Sequence, residues 1–250
     1  MADDPSGAEE LAQLRYPTER ALAVLLRMAA HDLRTPLNAM AGWLQVLAGI
    51  SDPASPTRER ALKGIHLAVT QQTMLADGLS QISGLQGGTL RSEVAPTDMA
   101  RALQDATAWL SEEAKSRAVA LNAIEPVAGV ELMTDGSLMQ ALLRHLLAGS
   151  LKFASKNSQL NVRVDALPMG ESCTVRIEFE RALVTAQELD MLLRYASGGP
   201  GEQPKGAGAA FGLAVAAHMA RYLGGGLEVS AGGDTAPGLF LKAQLRSGSP

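Results

Sequence analysis

The sequence predicts a two-part fold of the α + α/β class: an antiparallel helical hairpin that forms a dimeric four-helix bundle, followed by an α/β sandwich. Apolar residues recur every three or four positions over two long segments before the glycine pair at 87–88, the period of an amphipathic helix. Beyond that pair, candidate strands and helices alternate. Aromatic residues make up only 4% of the 250 residues, which favours helix packing over an aromatic sandwich core. We therefore assign residues 1–88 to the hairpin and 89–250 to the α/β domain.

The first predicted helix runs from about residue 8 to residue 50, and the second ends at the glycine pair. Pro53 and Pro56 separate the two helices. A two-helix hairpin has an apolar face and no third layer to cover it, so a second copy can bury that face in a four-helix bundle across a two-fold axis. We predict a homodimer on this basis. The alternative is that the hairpin packs on the rest of its own chain.

The α/β domain is predicted from short strands and helices that alternate along the chain. The predicted helices cover 101–117, 137–153, 187–195 and 209–223, and the predicted strands cover 119–123, 160–166, 173–180, 227–230 and 239–245. The second and third strands should be adjacent and antiparallel, in a sheet covered by helices on one face. The segment 197–208 is too rich in Gly and Pro to hold regular structure, and we expect it to be mobile.

Charge and cysteine content argue against several classes of function. Lys and Arg number 22 against 26 Asp and Glu, with no basic cluster, so we expect no nucleic-acid partner. Cys173 has no second cysteine to pair with, and the four histidines are scattered, which argues against a disulfide and a metal site. The N-terminus is acidic, and Arg27 interrupts the most apolar early stretch, so we expect neither a signal peptide nor membrane insertion. The predicted location is the cytoplasm.

His31 is the candidate nucleophile of the first helix. It lies two residues from both Ala29 and Leu33, so at about 100° per residue it points away from the buried stripe and towards solvent. A neutral imidazole can attack phosphorus with one ring nitrogen if the other keeps its proton, and the adjacent Asp32 can favour that tautomer. Pro36 removes a backbone hydrogen bond and bends the helix, at a cost of ~3 kcal/mol or more. We expect the kink and the freed carbonyl near His31.

The heptapeptide HDLRTPL that begins at His31 resembles the phospho-acceptor box of two-component histidine kinases. The resemblance implies that the hairpin is a dimerisation and phosphotransfer domain. It makes His31 the phosphorylated side chain and Asp32 its acid/base partner. It makes Arg34 and Thr35 the positions that tune transfer and phosphatase chemistry, and Pro36 the helix kink.

The segment from about 95 to 246 resembles the ATP-binding domain that follows the hairpin in that family. The helix that normally reads N-L-L-x-N-A-x-K-F is matched around Lys152, but its two asparagine positions fall on His145 and Gly149. In the family, the second asparagine ligates Mg²⁺ on the nucleotide phosphates. Glycine has no side chain with which to do so.

Two further nucleotide boxes depart from the family pattern. The box that normally reads Asp-x-Gly-x-Gly contains neither aspartate nor glycine here. Only Glu178 or Glu180 could be a shifted replacement for the carboxylate that binds adenine. The last glycine box keeps Gly208 and Gly212, with Ala210 at a glycine position. The three losses together predict that tight ATP binding is lost while the fold persists.

These departures from the family pattern imply no required cofactor and no metal ligand. ATP and Mg²⁺ would bind only if Lys152, Gly208 and Gly212 still form a working site.

We predict packing roles for the remaining histidines and for both tryptophans. His66 is interpreted as an ordinary residue of the bundle. His145 and His218 lie within apolar helices and are predicted to be core groups with satisfied hydrogen bonds. Trp43 and Trp109 are predicted to be packing residues.

Three functions remain open from the sequence. In the first, His31 takes a phosphoryl group from one receiver-domain aspartate and passes it to another, while the degenerate domain is a docking surface. In the second, the protein is an active histidine kinase with an atypical nucleotide site. In the third, it is a non-catalytic scaffold or inhibitor that binds a receiver or a kinase. The expected partners are response-regulator receiver domains, with a sensor kinase as a further candidate, and we expect sensing and output to come from other proteins or domains.

Overall fold

The computed structural model describes residues 19–89, 92–124, 131–166, 172–231 and 239–246. The hairpin consists of α1 (Glu19–Ala48) and α2 (Pro56–Gln86). The predicted start near residue 8 lies outside the described residues. Pro56 occupies the first turn of α2, where no intrahelical donor is needed. Gly88, with φ of +60°, follows the end of α2 in the left-handed conformation that commonly stops a helix.

The two helices of the hairpin approach each other closely at small residues. The Trp43 ring lies on Gly64, where a Cβ atom would come within 2.7 Å of the Trp43 Cδ1 atom. Further along, the Gln72 side chain donates a hydrogen bond to the Leu33 carbonyl oxygen at 2.7 Å. Packing and a side-chain hydrogen bond together fix the two helices relative to each other.

The α/β domain follows the hairpin and contains both strands and helices. Its elements are, in chain order, β1 (Val94–Asp98), α3 (Met99–Trp109), α4 (Ser111–Ser116), β2 (Val119–Ile124), β3 (Glu131–Asp135), α5 (Gly136–Leu151), β4 (Ser158–Ala166), β5 (Ser172–Phe179), α6 (Ala186–Ala196), a 3₁₀ turn (Ala207–Ala210), α7 (Phe211–Tyr222), β6 (Gly226–Ala231) and β7 (Leu239–Arg246). The predicted fold class, a helical hairpin followed by an α/β domain, is confirmed.

The main sheet has five strands in the order β2-β4-β5-β7-β6, and β1 and β3 form a separate antiparallel pair. The strands β4 and β5 are adjacent and antiparallel, as predicted, whereas β2 runs parallel to β4. In β5 every second residue is buried, namely Cys173, Val175, Ile177 and Phe179. This alternation is typical of a sheet with one covered face. Side chains of α5 and α7 belong to the same core.

Two parts of the α/β domain differ from the sequence prediction. The helix predicted over 101–117 is two helices, α3 and α4, because the backbone at Leu110 leaves the helical conformation (ψ 0°) while its side chain is buried. The strands β1 and β3 are absent from the prediction. Pro96 and mostly exposed neighbours in β1 hide the alternation that identifies a strand.

Part of the apolar face of the hairpin packs on the α/β domain of its own chain. For this part, the structure agrees with the alternative given in the sequence analysis. Val24, Leu25 and Met28 of α1 are buried together with Leu75 and Ile82 of α2. These side chains belong to the same apolar core as those of α5 and α7. One half of the hairpin is therefore covered without a second copy.

The other half of the hairpin remains uncovered. Leu37 and Leu44 on α1 are 53% and 58% exposed, and Leu62 and Val69 on α2 are 49% and 45% exposed. The residues of each pair are seven positions apart, so each pair lies on one face of its helix. We call these four residues the apolar stripe. Within the described ranges, no helix combines the length and hydropathy needed to cross a bilayer.

Candidate functional site

His31 lies on the exposed face of α1, with Asp32 beside it. The imidazole side chain is 67% exposed, as predicted, whereas the Asp32 carboxylate is buried. The His31 Nδ1 atom faces Asp32 Oδ1 at 3.5 Å. This placement of the carboxylate favours the tautomer that carries its proton on Nδ1.

Pro36 lies one turn beyond Asp32 and is buried inside α1. It has no N–H to donate to the Asp32 carbonyl, four residues before it. The next carbonyl, that of Leu33, accepts the hydrogen bond from Gln72 of α2. The backbone just after His31 is therefore held in part by the second helix of the hairpin.

Lys152 reaches from the α/β domain to the hairpin. It directly follows α5, and its ammonium group forms an ion pair with Asp32 Oδ2. The Lys152 side chain is 20% exposed. One oxygen of the Asp32 carboxylate thus faces His31, and the other contacts Lys152. The structure brings Lys152, which the resemblance assigns to a nucleotide, to the carboxylate beside His31.

The two glycines of the predicted nucleotide site lie in different surroundings. Gly208, in the 3₁₀ turn before α7, lies against His31, and a Cβ atom built on it would come within 2.7 Å of the Cγ and Cε1 atoms of the ring. Gly212 lies one turn further along and packs on α5, where its Cβ atom would be 3.0 Å from the His145 carbonyl oxygen. Gly208 therefore belongs to the surroundings of His31, and Gly212 belongs to a helix contact.

A cavity of about 250 Å³ lies beside His31, where the hairpin meets the α/β domain. Thr35 and Pro36 line it from α1, and Arg117 lines it from the α/β domain. Arg34 is exposed on α1. The structure therefore gathers all of the predicted box residues on one helix, with Thr35 and Pro36 facing the cavity.

Three polar residues at this cavity are not identified by the sequence analysis. Glu113 of α4 is buried, accepts a hydrogen bond from Gln71 of α2 at 3.2 Å and pairs with Arg117 at 3.0 Å. Gln71 and Glu113 are 42 positions apart. Neither helical period nor a motif connects such positions. The one available signal is that Glu113 is a charged residue on a face of α4 that is buried.

The helices α5 and α7 touch closely at Gly149. A Cβ atom built on Gly149 would lie 2.7 Å from the backbone nitrogen of Leu213. A side chain there, or at Gly212, would force the helices apart or displace neighbouring atoms. We call this contact between Gly149, Gly212 and Leu213 the helix seam.

His145, the other asparagine position of the family box, is buried against the hairpin. A Cβ atom built on Gly78 of α2 would come within 2.7 Å of its Cε1 atom. Burial lowers the pKa of His145 to about 4, and the charges of Lys152 and Arg144 act in the same direction. Burial likewise lowers the pKa of His218 to about 4.

The prediction that both buried histidines are satisfied is wrong for one ring nitrogen of each. Within the described part of the chain, His145 Nδ1 and His218 Nε2 have no hydrogen-bond partner. Both atoms are buried.

The two glutamates considered as adenine-reading carboxylates lie at the main sheet. Glu178 of β5 forms an ion pair with Arg163 of β4 at 3.6 Å. Glu180 accepts a hydrogen bond from the Gln159 backbone N–H at 2.8 Å. Both carboxylates therefore contact the neighbouring strand β4.

Comparison with known proteins finds a family match for the hairpin. The His Kinase A (phospho-acceptor) domain matches residues 21–88. The aerobic respiration control sensor protein ArcB of Escherichia coli K12 is 24% identical over 207 residues, covering 80% of this chain and 26% of ArcB. The swarming motility regulation sensor protein RssA of Serratia marcescens is 24% identical over 207 residues, covering 82% of this chain and 43% of RssA. The chain thus spans well under two thirds of either relative.

The fold agrees with these matches. The Acinetobacter baumannii histidine kinase AdeS superimposes with a TM-score of 0.54 at 15% sequence identity, covering 88% of this chain and 98% of AdeS. That similarity includes both the hairpin and the α/β domain. Residues 21–88 thus match the phospho-acceptor domain of histidine kinases, and the chain as a whole shares the fold of a histidine kinase.

Proposed function

We propose that this chain carries a phosphoryl group on His31 and exchanges it with receiver-domain aspartates of response regulators. The observation that carries the proposal is the exposed His31 imidazole, whose Nδ1 atom faces Asp32 Oδ1 at 3.5 Å. A reacting receiver must reach the imidazole directly, and an exposed ring permits this. The family match over the hairpin supports the same role.

The transfer step uses only groups of the hairpin and of the receiver. The lone pair of His31 Nε2 attacks the phosphorus of the receiver's aspartyl phosphate. The N–P bond forms, the P–O bond to the aspartate breaks, and its electron pair stays on the released carboxylate. The proton on Nδ1 remains on the ring, and Asp32 stabilises the imidazolium that forms. The reverse reaction delivers the group to another receiver, which brings its own acidic pocket and Mg²⁺.

The residues of the α/β domain do not fit a magnesium-bound nucleotide. The resemblance implies a metal-ligating asparagine at position 149, where this chain has glycine, and the backbone of Leu213 occupies the space that a side chain would need. Lys152, the cation expected at the phosphates, pairs with Asp32. Glu178 and Glu180, the remaining carboxylates, contact the neighbouring strand. These contacts support a phosphotransfer protein that takes no phosphate from ATP.

An ATP-dependent histidine kinase is the second candidate. The retained residues Lys152, Gly208 and Gly212 favour it, as does the fold shared with a histidine kinase. It would require α5 and α7 to separate at the helix seam before a nucleotide could enter. A non-catalytic scaffold that binds a receiver or a kinase is the third candidate.

The functions are separated by the source of the label on His31. The purified chain is incubated with radiolabelled ATP and Mg²⁺, and in a second reaction with a receiver domain that carries labelled phosphate. His31→Gln tests whether the label is on this residue. His66→Gln is the matched control, because His66 is an exposed histidine on the other helix of the hairpin.

We expect label from the phosphorylated receiver, lost in His31→Gln and kept in His66→Gln. Label from ATP alone would identify a histidine kinase and refute the proposal. Absence of label from both donors would favour the scaffold and would refute it as well.

We further propose that the apolar stripe pairs with the stripe of a second copy. The stripe places apolar residues seven positions apart on both helices, the spacing of a helical bundle, and the α/β domain leaves it uncovered. The phospho-acceptor match over residues 21–88 supports the same arrangement. A four-helix bundle would bury the stripe of each copy against the other.

Light scattering coupled to size exclusion tests the dimer. We expect the mass of two chains for the wild type and of one chain for Leu44→Glu, because a buried unpaired charge is strongly unfavourable. Leu183→Glu is the control, since Leu183 is 64% exposed on the α/β domain, outside the stripe. A monomeric wild type, or a dimer that Leu44→Glu leaves intact, would refute this arrangement.

A further inference from the structure

Two residues of the α/β domain, Lys152 and Gly208, lie at the His31 site on the hairpin. We propose that the docked α/β domain completes the phosphoryl-acceptor site without any nucleotide, with Lys152 as a positioning residue that holds the Asp32 carboxylate against the His31 ring. The inference rests on the function proposed above, because it concerns the same histidine.

The Asp32 carboxylate is buried. A buried carboxylate without a cation is strongly destabilising, and Lys152 supplies the positive charge. The ion pair engages Oδ2, and Oδ1 is the oxygen that faces His31 Nδ1. Because a carboxylate is planar, fixing one oxygen limits the positions open to the other. Lys152 thereby fixes the carboxylate that selects the ring tautomer, as outer partners do for other reactive histidines.

Gly208 provides a second contact from the α/β domain. The ring of His31 lies where the Cβ atom of any other residue at 208 would project. The backbone of the 3₁₀ turn therefore limits movement of the ring on that side. Lys152 and Gly208 act on different parts of the site, the carboxylate and the ring.

The position of Lys152 is itself fixed by further contacts between the two parts of the chain. It directly follows α5, whose His145 packs on Gly78 of α2. Glu113 of α4 accepts a hydrogen bond from Gln71 of α2 at the same cavity. The ion pair with Asp32 is thus one of several contacts that hold the α/β domain over α1 and α2. The domain retained in this chain would then be needed for the geometry of His31.

The test reads the tautomer of His31 by ¹⁵N NMR of the full chain labelled in histidine, at about pH 9, where an imidazole is neutral. His31→Gln identifies the signals. We expect wild type to populate mainly the Nδ1–H form, and Lys152→Met to shift both ring nitrogens towards the Nε2–H form. Lys152→Arg should restore the wild-type signals. Lys115→Met is the matched control, because Lys115 is an exposed lysine that pairs with Glu112, away from His31.

A double variant shows whether Lys152 acts through Asp32. In an Asp32→Asn background, adding Lys152→Met should change the ring signals no further. The double variant also removes both charges of the ion pair, so it remains informative if Lys152→Met alone loosens the fold. An equal shift in both backgrounds, or no shift in Lys152→Met, would overturn the inference.

Gly208→Ala provides an independent variant. Its added Cβ atom should displace the ring and change the His31 signals, whereas Gly226→Ala, where a Cβ meets nothing within 4 Å, should not. Unchanged His31 signals in Gly208→Ala would contradict the role given to the 3₁₀ turn.

Phosphoryl transfer is measured on the same variants. Transfer from the phosphorylated receiver should slow about tenfold in Lys152→Met and recover in Lys152→Arg. If wild type accepts no phosphoryl group, the proposed function fails, and the NMR comparison still decides whether Lys152 positions Asp32. If transfer occurs and the NMR signals do not respond to Lys152, the inference fails alone.

Discussion

The helix segments around His31 and around His145 place the same side chain in opposite environments. On α1, the imidazole of His31 is exposed beside an acidic partner, and on α5 the imidazole of His145 is buried with one nitrogen unpartnered. The imidazole of His31 is accessible for reaction at the surface. The imidazole of His145 fills space where α5 packs on α2.

The difference shows that packing constrains one of the two histidine positions and leaves the other free. His31 lies outside the apolar core, so packing does not determine which residue stands there. Gly149 and His145 lie where α5 meets α7 and α2, so their size and shape are set by those neighbours. Lys152 connects the two regions, because it follows α5 and contacts Asp32 on α1. The predictions below test that contrast.

The largest expected effect is on transfer when Asp32 is changed to Asn. The amide keeps the shape of the side chain but removes the charge that stabilises the imidazolium. We expect the rate of transfer from a phosphorylated receiver to fall at least about 100-fold, the usual range for loss of an acid/base partner. Rapid quenching of the transfer reaction measures this rate.

Asp77→Asn is the control for this change, because Asp77 is an exposed carboxylate on α2. Its rate should equal that of wild type. Wild-type transfer by Asp32→Asn would mean that Asp32 only pairs with Lys152, and the contrast between the two histidines would then lose its chemical basis.

The next effect is on stability as the pH falls. His145 has a pKa of about 4 in the folded chain, against 6.5 for an ordinary histidine. Between these values the unfolded chain binds a proton that the folded chain excludes, so the free energy of unfolding falls as pH drops from about 6.5 to about 4 and this contribution levels off below it. The pKa difference corresponds to about 3 kcal/mol.

Urea denaturation at several pH values measures this contribution. His145→Leu should lose less stability than wild type on going from about pH 7 to pH 4, because it has no proton to bind at that position. His66→Leu, at an exposed histidine, should follow the wild type. An identical pH dependence in His145→Leu would show that His145 titrates freely and that α5 is open to water.

The sequence predicts the hairpin and the exposure of His31 because both follow from helical period. The same holds for β5, whose apolar residues alternate. The ion pair between Lys152 and Asp32 joins positions 120 residues apart. This ion pair depends on how the α/β domain docks on the hairpin, and no local sequence pattern predicts that docking.

The helix seam illustrates a second limit. The resemblance implies an asparagine at the position of Gly149, but the sequence does not show what occupies the space that the asparagine side chain would fill. Only the structure shows the backbone of Leu213 there. Similarly, Pro96 obscures β1 in the sequence, and pairing with β3 is what identifies it as a strand.

A smaller effect is expected from Gly149→Ala. The added methyl group would meet the Leu213 backbone nitrogen at 2.7 Å, so α5 and α7 must shift. We expect a loss of about 1–3 kcal/mol in the free energy of unfolding, measured in urea. Gly226→Ala, with open space around the added atom, is the control. Unchanged stability in Gly149→Ala would indicate that the helix seam has room for a side chain, and with it for part of a nucleotide.

The smallest effect is expected at Asp98, which lies in neither region. Its Oδ1 atom accepts hydrogen bonds from the backbone N–H groups of Ala100 and Arg101 at 2.9 and 3.1 Å and caps α3. Asp98→Ala should lower the free energy of unfolding by about 1 kcal/mol, and Asp98→Asn should retain most of the cap. Neither change should alter transfer at His31. If Asp98→Ala slowed transfer, the rate would be responding to stability in general, and the effects of Asp32 and Lys152 would have to be measured relative to that response.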